Sequence, residues 1–302
     1  MNTDRRNFIK KSLYTTAGLG LISTAPLGFI NINQDNGFKI SLAEWSFHKA
    51  LFDGSMSNLD FPVRAAKEFE IYGVEYVSTF FMGTGKKYLS ELLQRSKDNK
   101  VENVLIMIDG EGDLGDSYAP RRIQAVERHY RWVEAAKFLG CKSIRVNARG
   151  EGSVTDVAGA AIESLRKLAE YGATENINII VENHGGYSSD GKWITHVIQQ
   201  VNMDNCGLLP DFGNFRISTD KEYDRYQGVK EMMPFAKGVS GKSYDFDDNG
   251  NETTIDFYKM LKIIADSGYK GWIDIEYEGQ NLSEEDGIRA TKKLLKKAIL
   301  KM

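Results

Sequence analysis

Three acidic residues, Glu182, Asp211 and Glu276, each stand at the end of a short β-branched or apolar run of the sequence. Carboxylate oxygens are ligands that Mg²⁺ and Mn²⁺ prefer, and nitrogen donors shift the preference towards Mn, Co or Zn. Paired carboxylates also serve as general acid and general base. If the fold brings the three run ends together, the sequence predicts a site that holds one divalent metal ion and transfers protons.

These runs belong to a series of eight, and each is followed by an amphipathic segment of helical length. They read KISLAEWSF from Lys39, GVEYVS from Gly73, NVLIMID from Asn103, SIRVNA from Ser143, NIIVEN from Asn178, GLLPDF from Gly207, AKGVSGKS from Ala236 and GWIDIEYE from Gly271. Alternating strands and helices are typical of α/β proteins with a parallel sheet. Eight units favour a (βα)8 TIM barrel over an open doubly wound sheet, and chemistry in such a barrel belongs at the C-terminal strand ends.

Proline and glycine mark the expected limits of these elements. Pro62 and Pro120 predict the first turns of two helices, where a missing N–H is harmless. Gly140 and Gly172 follow helical stretches and are interpreted as C-terminal caps. Pro210 is placed at the end of the sixth strand, because a proline inside a central strand would remove a ladder hydrogen bond.

Residues 1–36 are predicted to be an export leader, and residues 37–302 a single barrel domain. The stretch Asp4-Arg5-Arg6-Asn7-Phe8-Ile9-Lys10 resembles the twin-arginine export motif, and residues 12–34 are uncharged and mildly apolar. Such segments are excluded from fold reasoning. We therefore expect a periplasmic protein, tethered to the inner membrane if the leader stays uncleaved.

The composition gives no reason to expect a nucleic-acid partner. The chain is 41% hydrophobic and 27% charged, with a formal net charge of -3, whereas proteins that bind the phosphate backbone usually carry a basic excess. Cys141 and Cys206 fall about two strands apart in a barrel, so we expect two buried thiols rather than a disulfide.

The segments IIVENH, LLPDFGN and GWIDIEYEG, in this order on strands five, six and eight, resemble the xylose-isomerase-like barrel superfamily of sugar isomerases, epimerases and inosose dehydratases. The resemblance covers the chain from about Lys39 to Lys301. It implies that Glu182, Asp211 and Glu276 hold one divalent metal, together with a histidine on strand seven. It also implies that barrels of this kind often form homo-oligomers.

Strand seven departs from the family pattern His-x-Lys, because this chain has Ser240-Gly241-Lys242. A second family histidine, three residues after the strand-six aspartate, is replaced by Asn214. Both replacements are weak neutral oxygen donors, so the ion (Mn, Mg, Co or Zn) is expected to be weakly held and hard in character. Two alternatives stay open: His184 compensates from strand five, or the metal is absent and Lys242 and Arg145 supply the positive charge.

With a metal, the expected chemistry is proton transfer at a carbon next to a carbonyl, with Glu182 and Glu276 as the acid/base pair. Lys242 either stabilises the oxyanion or is an ion-paired structural residue. The candidate substrate contacts lie at or just after strand ends. They are Trp45, His48, Asn147, His184, Asn214 and Tyr244, with Asp109 and Arg149 as further hydroxyl contacts. His129 and His196, inside helices, are interpreted as structural.

The sequence thus predicts an isomerase or epimerase acting on a sugar or keto-sugar. One alternative is a lyase or dehydratase that uses the same enolisation on a 3-keto-glycoside or a cyclitol, and another is a metal-free sugar-binding barrel without catalysis. Glycoside hydrolases and abasic-site nucleases also use barrels. The Val-Glu-Asn-His and Pro-Asp-Phe-Gly-Asn segments favour the isomerases, epimerases and dehydratases over the hydrolases. Four histidines are too few for the multi-zinc centre of a nuclease. Because export separates the protein from intracellular sugar phosphates, we expect an unphosphorylated carbohydrate.

Overall fold

The computed structural model describes residues 37–302, and the predicted leader lies outside the described residues. Strands and helices alternate along this part of the chain. The strands are β1 (Phe38–Ala43), β2 (Gly73–Val77), β3 (Glu102–Met107), β4 (Ser143–Asn147), β5 (Asn178–Glu182), β6 (Cys206–Leu209), β7 (Val239–Ser243) and β8 (Gly271–Tyr277). The helices are α1 (His48–Asp53), α2 (Phe61–Phe69), α3 (Lys86–Asp98), α4 (Ala119–Leu139), α5 (Val154–Glu175), α6 (Gly191–Val201), α7 (Arg225–Met232), α8 (Phe257–Asp266) and α9 (Glu284–Ile299).

All eight strands are parallel and follow the order β6-β5-β4-β3-β2-β1-β8-β7, so β1 pairs with both β2 and β8. The seam between β6 and β7 has two isolated bridges, Leu208 with Ala236 and Asp211 with Ser240. Around the second bridge, Ser240 N donates to Pro210 O at 2.9 Å. The predicted TIM barrel is therefore confirmed, and its seam places Asp211 beside Ser240.

The inside of the barrel has its own small apolar core beneath the strand ends. Ile180 and Leu209 belong to it, and each precedes a candidate site acid, Glu182 or Asp211, by two residues on the same strand face. Its buried members are Ala43, Val77, Val104, Leu105, Met107, Ile180 and Leu209. Because side chains alternate along a strand, this core fills the layer under the carboxylates and supports them from below.

The predicted helix limits are partly confirmed. Pro62 and Pro120 lie in the first turns of α2 and α4, and Gly140 ends α4 in the left-handed conformation. Gly172 was wrongly predicted as a cap, because α5 continues to Glu175 and ends at Asn176. A Cβ atom at Gly172 would lie 2.8 Å from the carbonyl oxygen of Ile177, so glycine is needed there for close packing of the helix against the chain that follows.

The first predicted strand is shorter than its apolar run. It ends at Ala43, and Glu44–Phe47 form a 3-10 turn that leads into α1. Both cysteines are buried and free, as expected. Within residues 37–302, no helix is both long enough and apolar enough to cross a membrane.

Candidate active site

Glu182, Asp211 and Glu276 converge at the C-terminal strand ends, and one carboxylate oxygen from each lies within 4.8 Å of the others. The turn after β6 fixes Asp211, whose Oδ1 accepts hydrogen bonds from the backbone N–H groups of Gly213 and Asn214, both at 2.7 Å. The side chain of Asn183 bridges from β5 and accepts from Asp211 N at 2.7 Å. The Val-Glu-Asn and Pro-Asp-Phe-Gly-Asn segments thus hold the acids in place through local hydrogen bonds.

Lys242 lies among these acids as a buried counter-charge. Its Nζ is 3.1 Å from Glu276 Oε1, 3.2 Å from Glu278 Oε1 and 3.6 Å from Asp211 Oδ2. Burial alone would lower the pKa of the Lys242 ammonium, but the surrounding carboxylates hold it well above its usual value. Ser240, at the position of the family histidine, donates to Glu276 Oε2 at 3.0 Å. Strand β7 therefore contributes one permanent positive charge and one hydroxyl donor.

Arg145 supplies the second buried positive charge. Its Nε lies 2.8 Å from Glu182 Oε2, and its Nη1 donates to Asp109 Oδ1 at 3.0 Å. The other oxygen of Glu182 accepts a hydrogen bond from Asn214 Nδ2 at 3.0 Å. The guanidinium group therefore links a fully buried acid to one that reaches the cavity above it.

Burial dominates the protonation of the site. It raises the pKa of Glu182 to about 8 against the opposing charge of Arg145, and that of Asp211 to about 6 against the opposing charge of Lys242. Burial, reinforced by Arg145 and Lys242, lowers the pKa of His184 to about 3, so this imidazole is neutral. The protein alone thus holds two acids that retain protons more readily than exposed carboxyl groups.

A cavity of about 540 Å³ opens above the acids, within the size range of small-molecule sites. Of the acidic triad, Glu276 lines this cavity, together with Arg145. Five predicted contact residues also line it, namely Trp45, Asp109, Asn147, Arg149 and His184. The fold therefore brings most of the predicted polar contacts to one space directly over the carboxylates.

Three predicted substrate contacts lie elsewhere. His48 is outside the cavity lining, where it stacks on Trp45 and its Nδ1 lies 3.7 Å from Glu284 Oε1. Asn214 contacts Glu182 rather than the open cavity. The Tyr244 ring packs against the turn after β6, so close that a Cβ atom at Gly213 would lie 2.5 Å from the Tyr244 hydroxyl.

The loop after β3 contributes residues that sequence reasoning missed. Gly110, Glu111, Gly112 and Asp113 line the cavity, and so does His129 from α4, which was interpreted as structural. Glu111 is buried and accepts a hydrogen bond from Trp132 Nε1 at 2.8 Å. The position of this loop after a strand end was the one available signal.

The donor set suits a hard divalent cation. Glu182 Oε2 and Asp211 Oδ2 are buried and accept no hydrogen bond, although Arg145 and Lys242 approach them as ion pairs. Buried oxygens without donors carry a desolvation cost, which a coordinated cation would offset. The buried triad could therefore hold a metal, and all three of its ligand atoms would be carboxylate oxygens.

Comparisons with known proteins identify sequence relatives and structural neighbours of the barrel. The C-glycoside deglycosidase alpha subunit of Arthrobacter globiformis is 37% identical over 140 residues, which are 42% of this chain and 36% of that subunit. The matched stretches span 36% or less of the curated relatives. The structure of the 3-keto-D-glucoside 4-epimerase from E. coli superposes with a TM-score of 0.68 at 17% identity, over 86% of this chain and 99% of that one. The IOLI protein, crystallised with a zinc atom, gives 0.69 at 14% identity over 87% and 98%.

The names of these proteins include a sugar epimerase and a deglycosidase subunit. The model of the family described as xylose isomerase-like TIM barrel matches residues 63–298, most of the described barrel. The chain belongs to the xylose isomerase-like TIM barrel family.

Proposed function

We propose that this protein enolises a keto-sugar, removing and returning a proton next to a carbonyl group, and thereby isomerises or epimerises its substrate. The observation that carries the proposal is the acidic triad with Lys242 and Arg145 among its members, directly beneath the cavity. Proton removal next to a carbonyl needs a base at the carbon and positive charge at the oxygen. The triad, Lys242 and Arg145 together offer both, and we call these five residues the acidic floor.

Glu276 is the base in this proposal, because it is the triad member that lines the cavity. Ser240 and Lys242 bind its two carboxylate oxygens and so fix its orientation. Arg145 lines the same floor, where its positive charge would stabilise the developing enolate oxygen. In the absence of an ion, Glu182, whose pKa burial raises to about 8, retains a proton near neutral pH, and it is the proposed acid partner of Glu276.

Glu182, Asp211 and Glu276 would hold the divalent ion. When bound, such an ion acts as a Lewis acid on a sugar carbonyl and its neighbouring hydroxyl. Lys242 lies close to two of these three acids, so its charge reduces their demand for a cation. This is the physical reason why we propose weak metal binding, and the identity of the metal belongs to the same proposal.

A second candidate reaction is elimination from a 3-keto-glycoside, favoured by the 37% identity to a C-glycoside deglycosidase subunit. The base takes the proton from C2, a double bond forms between C1 and C2 as the enolate collapses, and the bond from C1 to the leaving group breaks. The leaving group takes up one proton, so the products are an unsaturated keto-sugar and the protonated aglycone, with no oxidant required.

An unphosphorylated carbohydrate remains the proposed partner. The export leader, the periplasmic location, the membrane tether and the homo-oligomer stay predictions of the sequence. A non-catalytic sugar-binding barrel is the alternative that a direct assay must separate from both reactions.

The experiment is to incubate the full chain with methyl 3-keto-β-D-glucoside, with and without Mn²⁺, and to follow the sugar by NMR. Conversion to a C2 or C4 epimer, or to a shifted carbonyl, would support the isomerase or epimerase. Release of methanol would identify the lyase. Binding without any conversion would contradict catalysis on this class and leave the sugar-binding barrel. Glu276→Gln serves as the control that keeps the cavity but removes the base.

A further inference from the structure

One side of the cavity is built from aromatic rings. Trp45 and Phe52 line it, the first from the turn after β1 and the second from the last turn of α1. Phe80, from the turn after β2, packs against both, with ring centroids 5.9 Å from Trp45 and 5.1 Å from Phe52. We call these three rings the aromatic wall.

Phe52 is the unusual member of the aromatic wall. It is 62% exposed, whereas Trp45 and Phe80 pack against the inner core of the barrel. Its ring meets Trp45 edge to face at 6.0 Å. Phe52 therefore gains only part of the burial energy of a core ring, and with Trp45 and Phe80 it forms a contiguous apolar patch of the kind that marks ligand-binding grooves.

Trp45 is held in the aromatic wall by a further ring. His48 stacks on it, with centroids 5.2 Å apart and ring planes 16° apart. Trp45 lines the cavity and His48 does not. The imidazole therefore supports a cavity-lining ring from outside the lining, which is a positioning role.

The opposite side of the cavity is polar. Asp109 accepts hydrogen bonds from Asn147 at 2.8 Å and from Arg145 at 3.0 Å, and Arg149 contacts His184 at 3.3 Å. These groups offer donors and acceptors suited to sugar hydroxyls. The cavity thus has three parts: the acidic floor, the aromatic wall, and a polar wall formed by Asp109, Asn147, Arg149 and His184.

We infer that the aromatic wall is an aglycone subsite, and that the substrate is a glycoside whose aglycone is a flat apolar ring system rather than a free sugar. This inference rests on the proposed function, because the sugar ring is placed on the acidic floor by that chemistry. A glycoside bound there would direct its hydroxyls to the polar wall and its aglycone to Trp45 and Phe52. The cavity volume of about 540 Å³ lies within the roughly 300–1,000 Å³ of pockets that hold drug-sized ligands.

The test compares two probes by isothermal titration calorimetry, 4-nitrophenyl β-D-glucopyranoside and methyl β-D-glucopyranoside, on the full chain. We expect the aryl glucoside to bind more tightly, by a factor of about 2 to 10 for one aromatic contact. Phe52→Ala should remove most of this preference by weakening the aryl glucoside several times more than the methyl glucoside. Tyr118→Ala is the matched control, because Tyr118 is also an exposed aromatic residue but lies outside the cavity lining.

Equal affinity for the two probes, absence of binding by both, or an equal loss for both in Phe52→Ala would overturn the aglycone subsite. The binding measurement needs no turnover, so it is separable from the test of the proposed function. An aryl preference without conversion of any keto-sugar would retain the subsite and refute the enzyme. Conversion without an aryl preference would retain the enzyme and refute the subsite.

Discussion

Asp274 and Glu276 lie two residues apart on the same face of β8, yet they occupy different environments. Glu276 lines the cavity and is bound by Ser240 and Lys242. Asp274 is fully buried one layer deeper, beside Glu75 of β2, and among the described residues neither of these two acids forms an ion pair with a lysine or arginine. We call Glu75 and Asp274 the lower pair.

The carboxyl groups of the lower pair retain protons more readily than exposed ones. Burial raises the pKa of Glu75 to about 7, and it raises the pKa of Asp274 well above its usual value, with the charges of Glu75 and Glu276 acting in the same direction. The two carboxyl groups can hydrogen-bond each other once one is protonated. Ser41 donates to Glu75 at 2.7 Å and Gly241 N donates to Asp274 at 3.1 Å.

The difference teaches that an inward-facing acid in this barrel is not by itself a sign of chemistry. Both Glu276 and Asp274 accept hydrogen bonds, so what separates them is a buried cation within about 4 Å and access to the cavity. Function therefore follows the position along the strand and the charges that surround it.

The largest expected effect comes from replacing Glu276 by its amide, and the matched comparison is the same replacement at Asp274. Glu276→Gln should lower turnover by about 10² to 10⁴, because a general base is lost. Asp274→Asn should leave turnover within severalfold, since the amide preserves the acceptor for Gly241 N and can donate to Glu75. Steady-state rates on a keto-sugar substrate check this, and equal losses in both variants would refute the distinction between the layers.

Removal of the buried charge of Lys242 should lower the free energy of unfolding. Lys242→Met leaves Glu276 and Asp211 without their counter-charge, and breaking a buried pair in this way costs about 3–5 kcal/mol. Urea unfolding measures the loss, and Mn²⁺ should restore part of it by replacing the missing charge. An unchanged free energy of unfolding would show that Lys242 does not compensate the acids.

Metal affinity should depend on pH through Glu182 and Asp211, and not through the lower pair. The pKa values of Glu182 and Asp211 are raised to about 8 and about 6, so both acids hold protons that a cation must displace. Affinity for Mn²⁺ should therefore rise between pH 6 and pH 8, by up to about tenfold per pH unit for each proton released. Titrations at several pH values check this, and Asp274→Asn should show the same slope.

The smallest expected effect is on Zn²⁺ affinity, when the strand-seven histidine of the family is introduced at Ser240. Ser240→His adds a nitrogen donor at the seam and should tighten Zn²⁺ binding by about tenfold or more, with little gain for Mg²⁺. Ser240→Ala is the control, which removes the hydroxyl without adding a donor. If His and Ala variants bind Zn²⁺ equally, position 240 is not directed to the metal site.

The fold was readable from the sequence because strand and helix periodicity is local. All eight strands occur where the apolar runs predicted them, and Asp211 follows Pro210 at the end of β6 as expected. Gly172 could not be interpreted correctly, because its reason is the close approach of Ile177 and Ile179, a contact that exists only after α5 packs on β5.

The site was partly readable. The rule that strand ends share one face of a barrel predicted the convergence of the triad, and the family pattern exposed the change at Ser240. The same reasoning could not place Glu111 and His129, because loop paths and helix rotation depend on packing partners such as Trp132. It also predicted a substrate contact for His48, whose ring stacks on Trp45 outside the cavity lining.

The central claim is that the acidic floor removes a proton next to a sugar carbonyl. The most direct measurement is exchange of that proton with solvent deuterium, followed by NMR in D₂O with methyl 3-keto-β-D-glucoside and a divalent metal. The account predicts deuterium incorporation with the wild-type chain and a large loss in Glu276→Gln, with binding largely retained. A keto-sugar that binds in the cavity yet exchanges no proton above the uncatalysed rate would contradict it.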